Sequence, residues 1–314
     1  MKALVFEEPR RAAVRDLDVP PIAADEVLVR SRNVGICHSD FELYEGRYII
    51  PVAYPIIPGH EWSGEVAEVG RAVTSFRPGD RVVGECVVNN GDDHFGFSIS
   101  GANAEYFVAK AAWLHRIPDE LSFVQGAFVE PFSVAYTATV AAGGIDASDR
   151  VAVIGGGPIG LLCTLAAATM GGTVTLIEPQ PHRRALGLEV GAREAIDPGE
   201  AEGRHFDVVI EAAGAPAAMA SVFPLAAHEA RIVFVGIDIG GSAPVEIGLI
   251  QSKALQVRGI IGSAGMWPRT IRFMAASGID PAPLLTATFP LADGTGALEA
   301  ARDTSKNVKV QIEC

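Results

Sequence analysis

The sequence has little of what several classes of protein require. Its 314 residues include only four cysteines, at positions 37, 86, 163 and 314, and no two of them have C-x-x-C spacing. This excludes a disulfide scaffold and favours a reduced, cytoplasmic location. Basic residues are also scarce, with 25 Lys and Arg against 38 Asp and Glu and a formal net charge of −13. We therefore expect no binding to nucleic acid and no polybasic membrane anchor.

Signals for export or for membrane insertion are also missing. The opening MKALVFEEPRR has no basic segment followed by an apolar run, so we expect no signal peptide. Residues 151–177 carry no charged side chain and are long enough to cross a bilayer. The run holds six glycines, however, and has strand-like VAVI and VTLI at its two ends. These features favour a buried strand–helix–strand unit instead.

The composition that is present indicates a globular chain of two domains. Hydrophobic residues make up 49% and charged residues 20%, enough apolar surface for a large core. Residues 1–120 are predicted to be β-rich, because short runs such as KALVF and EVLVRS alternate with Gly, Pro and Asp. Residues 132–265 switch to strand–helix alternation, which is typical of a doubly wound parallel sheet. The predicted strands there are 151–154, 174–178, 207–210, 232–236 and 256–260, and the predicted helices are 158–170, 180–190 and 216–227.

A glycine-rich turn follows the first strand of this alternation. Its G-x-G-x-x-G pattern is typical of a dinucleotide-binding loop when a strand precedes it and a helix follows, as they do here. The first glycine allows the tight turn, the second allows close approach of the pyrophosphate, and the third allows helix–strand packing. The helix N-terminus would then offer free N–H groups to the phosphates. The loop residues are Gly155, Gly157, Pro158, Ile159 and Gly160.

The next predicted strand ends in an acidic residue, Glu178, which lies 18 residues after Gly160. An acid at this distance is expected to accept hydrogen bonds from the adenosine ribose and to repel a 2′-phosphate. The pattern therefore predicts NAD as the cofactor in preference to NADP. Arg183 and Arg184 follow closely and would weaken that preference.

Possible zinc ligands are spread through the β-rich region. Cys37 in GICHSD offers a thiolate, and His60 and Glu61 in PGHEWSGEV offer an imidazole and a carboxylate. Glu130 stands among Ala, Phe and Val, where a buried carboxylate needs a partner such as a metal ion. Taken singly, a cysteine in a β-rich domain is usually a small core residue, and a His-Glu pair usually lies at the surface.

Together, these motifs resemble the zinc-dependent medium-chain dehydrogenase/reductase family, which includes the alcohol dehydrogenases. MKALVF, GICHSD, PGHEWSGEV, RPGDRVVG, ANAEYFV, the nucleotide loop and NVKVQI occur in the family's order along nearly the whole chain. The Glu130-Pro131 pair resembles the sorbitol and threonine dehydrogenase branch. The resemblance implies a GroES-like zinc-binding domain at 1–131 and 266–314, and a Rossmann NAD-binding domain at 132–265. It further implies a homodimer or a homotetramer.

The resemblance also implies residue roles. Cys37 and His60 would be ligands of one catalytic zinc, and Glu61 and Glu130 would compete for or share the remaining protein position. Ser39 would accept the proton of the alcohol. In further roles, Asp40 would orient His60 and His38 would reach the cofactor pyrophosphate. Zinc would act as a Lewis acid on the substrate oxygen while the carbinol carbon gives up hydride to NAD.

Three departures from the family narrow these expectations. The usual relay histidine is replaced by Glu42, which would have to carry the proton to solvent. The four-cysteine lobe that binds a structural zinc is missing, since residues 83–100 contain only Cys86. Gly262 and Ser263 stand where the family's polyol dehydrogenases have an Arg-Tyr pair that binds the sugar, so the resemblance does not by itself imply a hexitol substrate. We expect a secondary alcohol, namely a polyol, an aminocyclitol or a hydroxy-amino compound.

Two other functions are compatible with the same motifs. One is an epimerase or another redox-neutral enzyme that retains its NAD, and the other is a non-catalytic dinucleotide-binding protein. The presence of all four candidate metal ligands argues against the second.

Overall fold

A computed structural model describes residues 1–237 and 240–314. In chain order, its strands are β1 (Lys2–Glu8), β2 (Arg11–Asp16), β3 (Glu26–Gly35), β4 (Glu61–Val69), β5 (Arg81–Gly84), β6 (Val87–Val88), β7 (Asp93–His94), β8 (Tyr106–Lys110), β9 (Leu114–Arg116), β10 (Arg150–Ile154), β11 (Thr173–Ile177), β12 (Glu194–Ile196), β13 (Phe206–Glu211), β14 (Ala226–Phe234), β15 (Gln256–Gly259), β16 (Leu285–Pro290) and β17 (Lys309–Glu313). The α-helices are α1 (His38–Tyr44), α2 (Phe123–Gly126), α3 (Val129–Ala141), α4 (Pro158–Thr169), α5 (Pro181–Glu189), α6 (Pro216–Leu225), α7 (Leu249–Ser252), α8 (Trp267–Ser277) and α9 (Gly294–Arg302). Short 3₁₀ turns lie at Asn89–Gly91, Ala111–Trp113, Pro198–Ala201, Ala282–Leu284 and Leu291–Asp293.

The chain forms two compact units. The first consists of residues 1–130, 267–278 and 285–314, and the second of residues 131–266 and 279–284. Residues 279–284 thus group with the second unit rather than with the predicted catalytic domain. The physical reason is local packing, because the 3₁₀ turn Ala282–Leu284 contacts α5 of that unit.

The first unit is built on a mixed sheet with strand order β16-β17-β3-β4-β5-β9, to which β8 adds by pairing with β3. The predicted runs KALVF, EVLVRS, WSGEVAEV, DRVVGE and AEYFVA coincide with strands of this unit. The last strand, β17, pairs antiparallel with β3, with Ile312 opposite Val34. This pairing brings the end of the chain beside the segment that leads into Cys37.

The second unit holds a six-stranded parallel sheet with strand order β12-β11-β10-β13-β14-β15. Parallel strands are covered on both faces and are therefore apolar throughout, as in β10, where Val151, Ala152 and Val153 are fully buried. The uncharged run 151–177 forms β10, α4 and β11, which confirms the predicted strand–helix–strand unit. In the described parts of the chain, no helix combines the length and the apolar character needed to cross a membrane.

The parallel order confirms the predicted doubly wound α/β fold. The chain runs outward from β10 through β11 to β12, and then resumes on the other side of β10 with β13. The order therefore reverses between β10 and β13, and ligands of such sheets bind outside the carboxyl ends of the strands at this switch point. The sequence did not predict β12 or helix α3, whose first turn carries Glu130.

Candidate active site

Helix α1 starts directly after Cys37, and this short segment carries five candidate residues, Cys37, His38, Ser39, Asp40 and Glu42. The Asp40 carboxylate accepts a hydrogen bond from the Cys37 backbone N–H at 2.8 Å, which caps the first turn. Asp40 is 1% exposed, so its carboxylate is directed into the unit and not into solvent. The capping interaction therefore fixes the cysteine and the aspartate relative to each other.

His60 and Glu61 reach the same place from the start of β4. Glu61 lies opposite Gly35 in the antiparallel pairing of β4 with β3. Because Gly35 is two residues before Cys37, this pairing brings Glu61 near Cys37. His60 is 4% exposed and Glu61 is 1% exposed. One potential ligand atom from each of Cys37, His60 and Glu61 lies within 4.8 Å of the other two. The structure thus brings together three of the four predicted metal ligands.

The electrostatics around His60 favour positive charge. Burial by itself lowers the pKa of His60, but the Asp40 carboxylate and the Cys37 thiol outweigh burial and hold that pKa well above its ordinary value. Asp40 Oδ1 lies 3.5 Å from His60 Nδ1, on the side of the ring opposite Nε2. A thiol, an imidazole and a carboxylate that jointly favour a cation form a donor set that suits zinc.

Lys309 is a residue of this site that no sequence motif indicated. Its ammonium group donates to Glu61 Oε1 at 2.8 Å, to Glu61 Oε2 at 2.5 Å and to the Ile36 carbonyl at 3.1 Å. Burial lowers the pKa of Lys309, but the charges of Glu61, Cys37 and Glu130 together with the hydrogen bond to Glu61 outweigh burial and raise that pKa. The terminal strand KVQIE mixes polar and apolar residues, so no local signal marks Lys309 as a residue with a buried partner.

Glu130 lies in the first turn of α3 and keeps partial exposure. It is not a member of the close group formed by Cys37, His60 and Glu61. Burial raises the pKa of Glu130 to about 7, while the charge of His60 opposes the rise and that of Glu61 adds to it. Glu130 is therefore electrostatically linked to the group without being part of it.

Aromatic side chains cover one side of His60. The Phe97 ring lies 4.6 Å from the imidazole, and it stacks on Tyr48 with a centroid distance of 4.4 Å and an interplanar angle of 8°. Burial is the main cause that raises the pKa of Tyr48 to about 12, and the charge of Cys86 adds to it. Tyr48 was not singled out in the sequence, because an aromatic ring in a loop carries no spacing signal.

Ser39 and Glu42, the two residues of the predicted proton path, each lie close to a polar partner. Ser39 Oγ lies 3.5 Å from His60 Nε2. Glu42 accepts a hydrogen bond from Arg47 at 3.1 Å and lies 3.9 Å from His38 Nε2, one turn earlier on α1. The His38 side chain is 86% exposed. Glu42 is therefore part of a small charged cluster on the helix surface.

The nucleotide loop has the stereochemistry that its glycines predicted. Gly155 has φ +100°, and a Cβ there would lie 2.9 Å from Ala213 Cα. A Cβ on Gly160 would lie 1.8 Å from the Gly155 carbonyl oxygen, so only glycine allows α4 to start this close to the loop. A Cβ on Gly157 would meet nothing within 4 Å, so its surroundings are open. Pro158 begins α4, and Ile159 is partly exposed beside it.

Glu178 links this loop to the turn after β11. It is 4% exposed, and its two carboxylate oxygens accept hydrogen bonds from the Gly156 N–H at 2.6 Å and the Gln180 N–H at 2.8 Å. Arg184 donates to the carbonyls of Glu178 and Pro179, both at 2.7 Å, and so stabilises the same turn. Arg183 lies closer to the loop, with its Cβ 3.2 Å from a Cβ built on Gly156.

Two protein-family models match this chain. The model of the alcohol dehydrogenase GroES-like domain matches residues 23–119, and the model of the zinc-binding dehydrogenases matches residues 158–276. The sorbitol dehydrogenase of Bacillus subtilis (strain 168) is 32% identical, and the alignment covers 96% of this chain and 93% of that protein. The chain belongs to the zinc-dependent medium-chain dehydrogenase/reductase family.

Solved structures of family members superpose on the whole chain. The 2R,3R-butanediol dehydrogenase from Bacillus subtilis is 30% identical, with a TM-score of 0.91 and coverage of 100% of this chain and 99% of that chain. A zinc-binding dehydrogenase from Sinorhizobium meliloti 1021, solved with bound NADP, is 28% identical, with a TM-score of 0.92 and the same coverage. As a member of the sorbitol dehydrogenase branch, the chain is an oxidoreductase that interconverts an alcohol and a ketone with zinc and a nicotinamide cofactor.

Proposed function

We propose that this enzyme oxidises a secondary alcohol bearing further hydroxyl or amino groups to the ketone, with NAD as hydride acceptor and one catalytic zinc. The observation that carries the proposal is the group of Cys37, His60 and Glu61, with Asp40 behind the imidazole. This group combines donors that suit zinc with surroundings that favour positive charge. Within the second unit, the glycine-rich loop supplies the features needed to bind a dinucleotide.

Cys37 and His60 are the proposed zinc ligands, and Glu61 is the third protein ligand in the arrangement described here. Glu61 is preferred to Glu130 because its carboxylate lies in the close group. Lys309 offsets the negative charge of Glu61. Glu130 is a further acidic group whose pKa responds to the charges of His60 and Glu61. When bound, zinc supplies Lewis-acid polarisation of the substrate hydroxyl.

The protein's own groups handle the proton. Ser39 is the proposed first acceptor, because its hydroxyl lies beside His60 Nε2 and serine both accepts and donates hydrogen bonds. Glu42, on the next turn of α1, is the proposed outlet to solvent, and its contact with Arg47 holds it at the helix surface. His38 is exposed at the start of the same helix and is a candidate contact for the cofactor pyrophosphate.

We infer a preference for NAD over NADP from the environment of Glu178. Its buried carboxylate lies against the nucleotide loop, where a 2′-phosphate would be repelled. Arg184 is committed to two backbone carbonyls and is not directed toward a phosphate. Arg183 is the remaining basic residue at the loop.

Two features, one within each unit, favour a small substrate. The Tyr48–Phe97 stack places an apolar surface against His60, and the position of the family's polyol-gripping pair holds Gly262 and Ser263 instead. Ser263 is 8% exposed and accepts a hydrogen bond from Ser133 at 2.5 Å, so its hydroxyl is already engaged within its own unit. We therefore favour a short diol or amino alcohol over a hexitol.

The enzyme is proposed to act as a homodimer or homotetramer in the cytoplasm. Strand β15 is an outer strand of the parallel sheet, and all four of its residues are exposed. Unpaired strand edges with apolar side chains such as Val257 and the nearby Ile261 are suited to pairing with a second copy. The four cysteines carry no disulfide, which supports a reducing compartment.

The decisive experiment is a screen of secondary alcohols with NAD, in which the absorbance of the reduced cofactor is followed. We expect turnover that is lost in Cys37→Ala and His60→Ala and in chelator-treated enzyme, and restored to the chelated native enzyme by zinc. Activity that survives removal of the metal would reject the zinc mechanism. Product formed without net reduction of NAD would favour the redox-neutral alternative.

A further inference from the structure

Glu211, at the carboxyl end of β13, is buried and takes no part in the chemistry described above. It is 0% exposed, and it pairs with Ile154 of β10 in the parallel register. The switch point of the sheet lies between these two strands, so the Glu211 carboxyl group stands beside the place where a dinucleotide is expected.

The side chain of Glu211 organises the loop that follows its own strand. Its Oε1 accepts hydrogen bonds from the N–H groups of Ala213 at 2.8 Å and Gly214 at 3.0 Å. Ala213 in turn sits against the first glycine of the nucleotide loop, because a Cβ on Gly155 would approach Ala213 Cα to 2.9 Å. The carboxyl group thus fixes the residue on which the nucleotide loop rests.

The same residue also holds the loop that follows β14. The Glu211 backbone carbonyl accepts hydrogen bonds from Val235 N–H at 2.8 Å and Gly236 N–H at 3.0 Å. Its Oε2 lies under Gly236, where a Cβ would come within 2.6 Å of that oxygen. Only glycine leaves room for the acid, so the two loops and the carboxyl group fit together as one junction.

The charge state of Glu211 follows from its surroundings. Within residues 1–237 and 240–314, Oε2 has no hydrogen-bond partner and no basic side chain forms an ion pair with the carboxyl group. A buried carboxylate without a counter-charge is costly. Burial raises the pKa of Glu211, whereas the two backbone amides lower it by a smaller amount. An anion here would also repel a bound pyrophosphate.

We propose that Glu211 is a cofactor-positioning residue that, as a neutral acid, joins the loops after β13 and β14 and seats them against the nucleotide loop. This inference rests on the proposed use of a dinucleotide. It predicts that hydrogen-bonding capacity, and not negative charge, is what cofactor binding requires at position 211.

The test compares Glu211→Gln with Glu211→Met, which has a similar length but cannot accept the two amide hydrogen bonds. NADH affinity is measured by fluorescence titration. We expect Glu211→Gln to stay within about threefold of the native dissociation constant and Glu211→Met to weaken binding by about tenfold or more, because the N–H groups of Ala213 and Gly214 lose the acceptor that orders their loop. Asp149→Asn is the matched control. Asp149 pairs with Arg231 just before β10 begins, at the amino ends of the strands, whereas Glu211 lies at their carboxyl ends.

The control separates positioning from general stability. Asp149→Asn should lower the thermal stability of the second unit and leave the NADH dissociation constant unchanged. If native enzyme binds no NADH, the proposed function fails; if it binds and Glu211→Met binds equally well, the positioning role fails. An equal loss of NADH affinity in Glu211→Gln and Glu211→Met would show that the negative charge matters and would overturn the neutral-acid assignment.

An infrared measurement tests the neutral acid even if Glu211→Met does not fold. Native enzyme at neutral pH should show a protonated carboxylic C=O stretching band that is absent from Glu211→Gln in the difference spectrum. Loss of a carboxylate band in its place would overturn the assignment. The comparison with Glu211→Gln removes the contribution of Glu130, which both proteins share.

Discussion

Lys309→Met is expected to destabilise the first unit strongly, because it leaves Glu61 buried without its cation. The two side chains are 2% and 1% exposed, and the ammonium group lies 2.5 Å from Glu61 Oε2. Removing one partner of such a buried pair costs about 3–5 kcal/mol of unfolding free energy. The Ile36 carbonyl also loses its donor at 3.1 Å, which adds to the upper part of that range.

The assay is urea unfolding of chelator-treated protein, followed by tryptophan fluorescence. All three tryptophans, Trp62, Trp113 and Trp267, belong to the first unit, so the signal reports that unit selectively. Lys253→Met is the matched control. Lys253 donates to the carbonyls of Phe223, Pro224 and Ala226 in the second unit, and its loss should leave the tryptophan transition unchanged.

A double-mutant cycle isolates the pair itself. Glu61→Leu should destabilise by a similar amount, because it leaves the buried ammonium group unpaired. The double variant Lys309→Met/Glu61→Leu should lose much less than the sum, with a coupling energy of about 2–3 kcal/mol. Additive effects, or a loss below about 1 kcal/mol for Lys309→Met, would refute the view that a desolvated ion pair supports Glu61.

Further predictions concern metal, proton, cofactor and pH. Elemental analysis should find at most one tightly bound zinc per chain, and two would contradict the absence of a structural zinc site. Ser39→Ala should lower turnover by about 10²–10⁴. Glu42→Gln should lower turnover far less but should alter the dependence of the rate on pH. Superimposable pH–rate profiles of native enzyme and Glu42→Gln would mean that Glu42 only pairs with Arg47. Native enzyme should have a lower KM for NAD than for NADP, and Glu178→Gln should narrow the difference; a native preference for NADP would reject the role of Glu178. Because the pKa of Glu211 in the folded chain is raised above its ordinary value of 4.5, its stabilising effect is complete below that value and is lost as pH rises through the folded pKa. Glu211→Gln should therefore flatten the fall in stability with rising pH, and parallel curves would contradict the raised pKa.

Local patterns predicted much of the second unit. The nucleotide loop is a contiguous strand–turn–helix, and the constraints on Gly155 and Gly160 arise from neighbours in the same segment or in the next paired strand. The helices 158–170, 180–190 and 216–227 were predicted within a few residues of α4, α5 and α6. The third strand on that side, β12, escaped notice because three residues are too few to show a period.

The proposed metal ligands were predicted from motifs, but the residues that contact them were not. Cys37 and His60 belong to recognisable local patterns, whereas Lys309 lies 248 residues from Glu61. The pairing of β17 with β3 brings them together, and alternation along a strand does not encode which other strand it will join. Phe97 reached His60 in the same way, from a loop with no periodic signal.

The sequence by itself determined the classes of element, the glycine-rich loop and the identity of the proposed zinc ligands, since each belongs to a pattern of neighbours along the chain. Tertiary structure alone decided the ionic partner of Glu61, the aromatic cover of His60 and the two loops that Glu211 joins. Those contacts depend on strand order and register, which are set by the burial of whole faces of a sheet and not by any short segment.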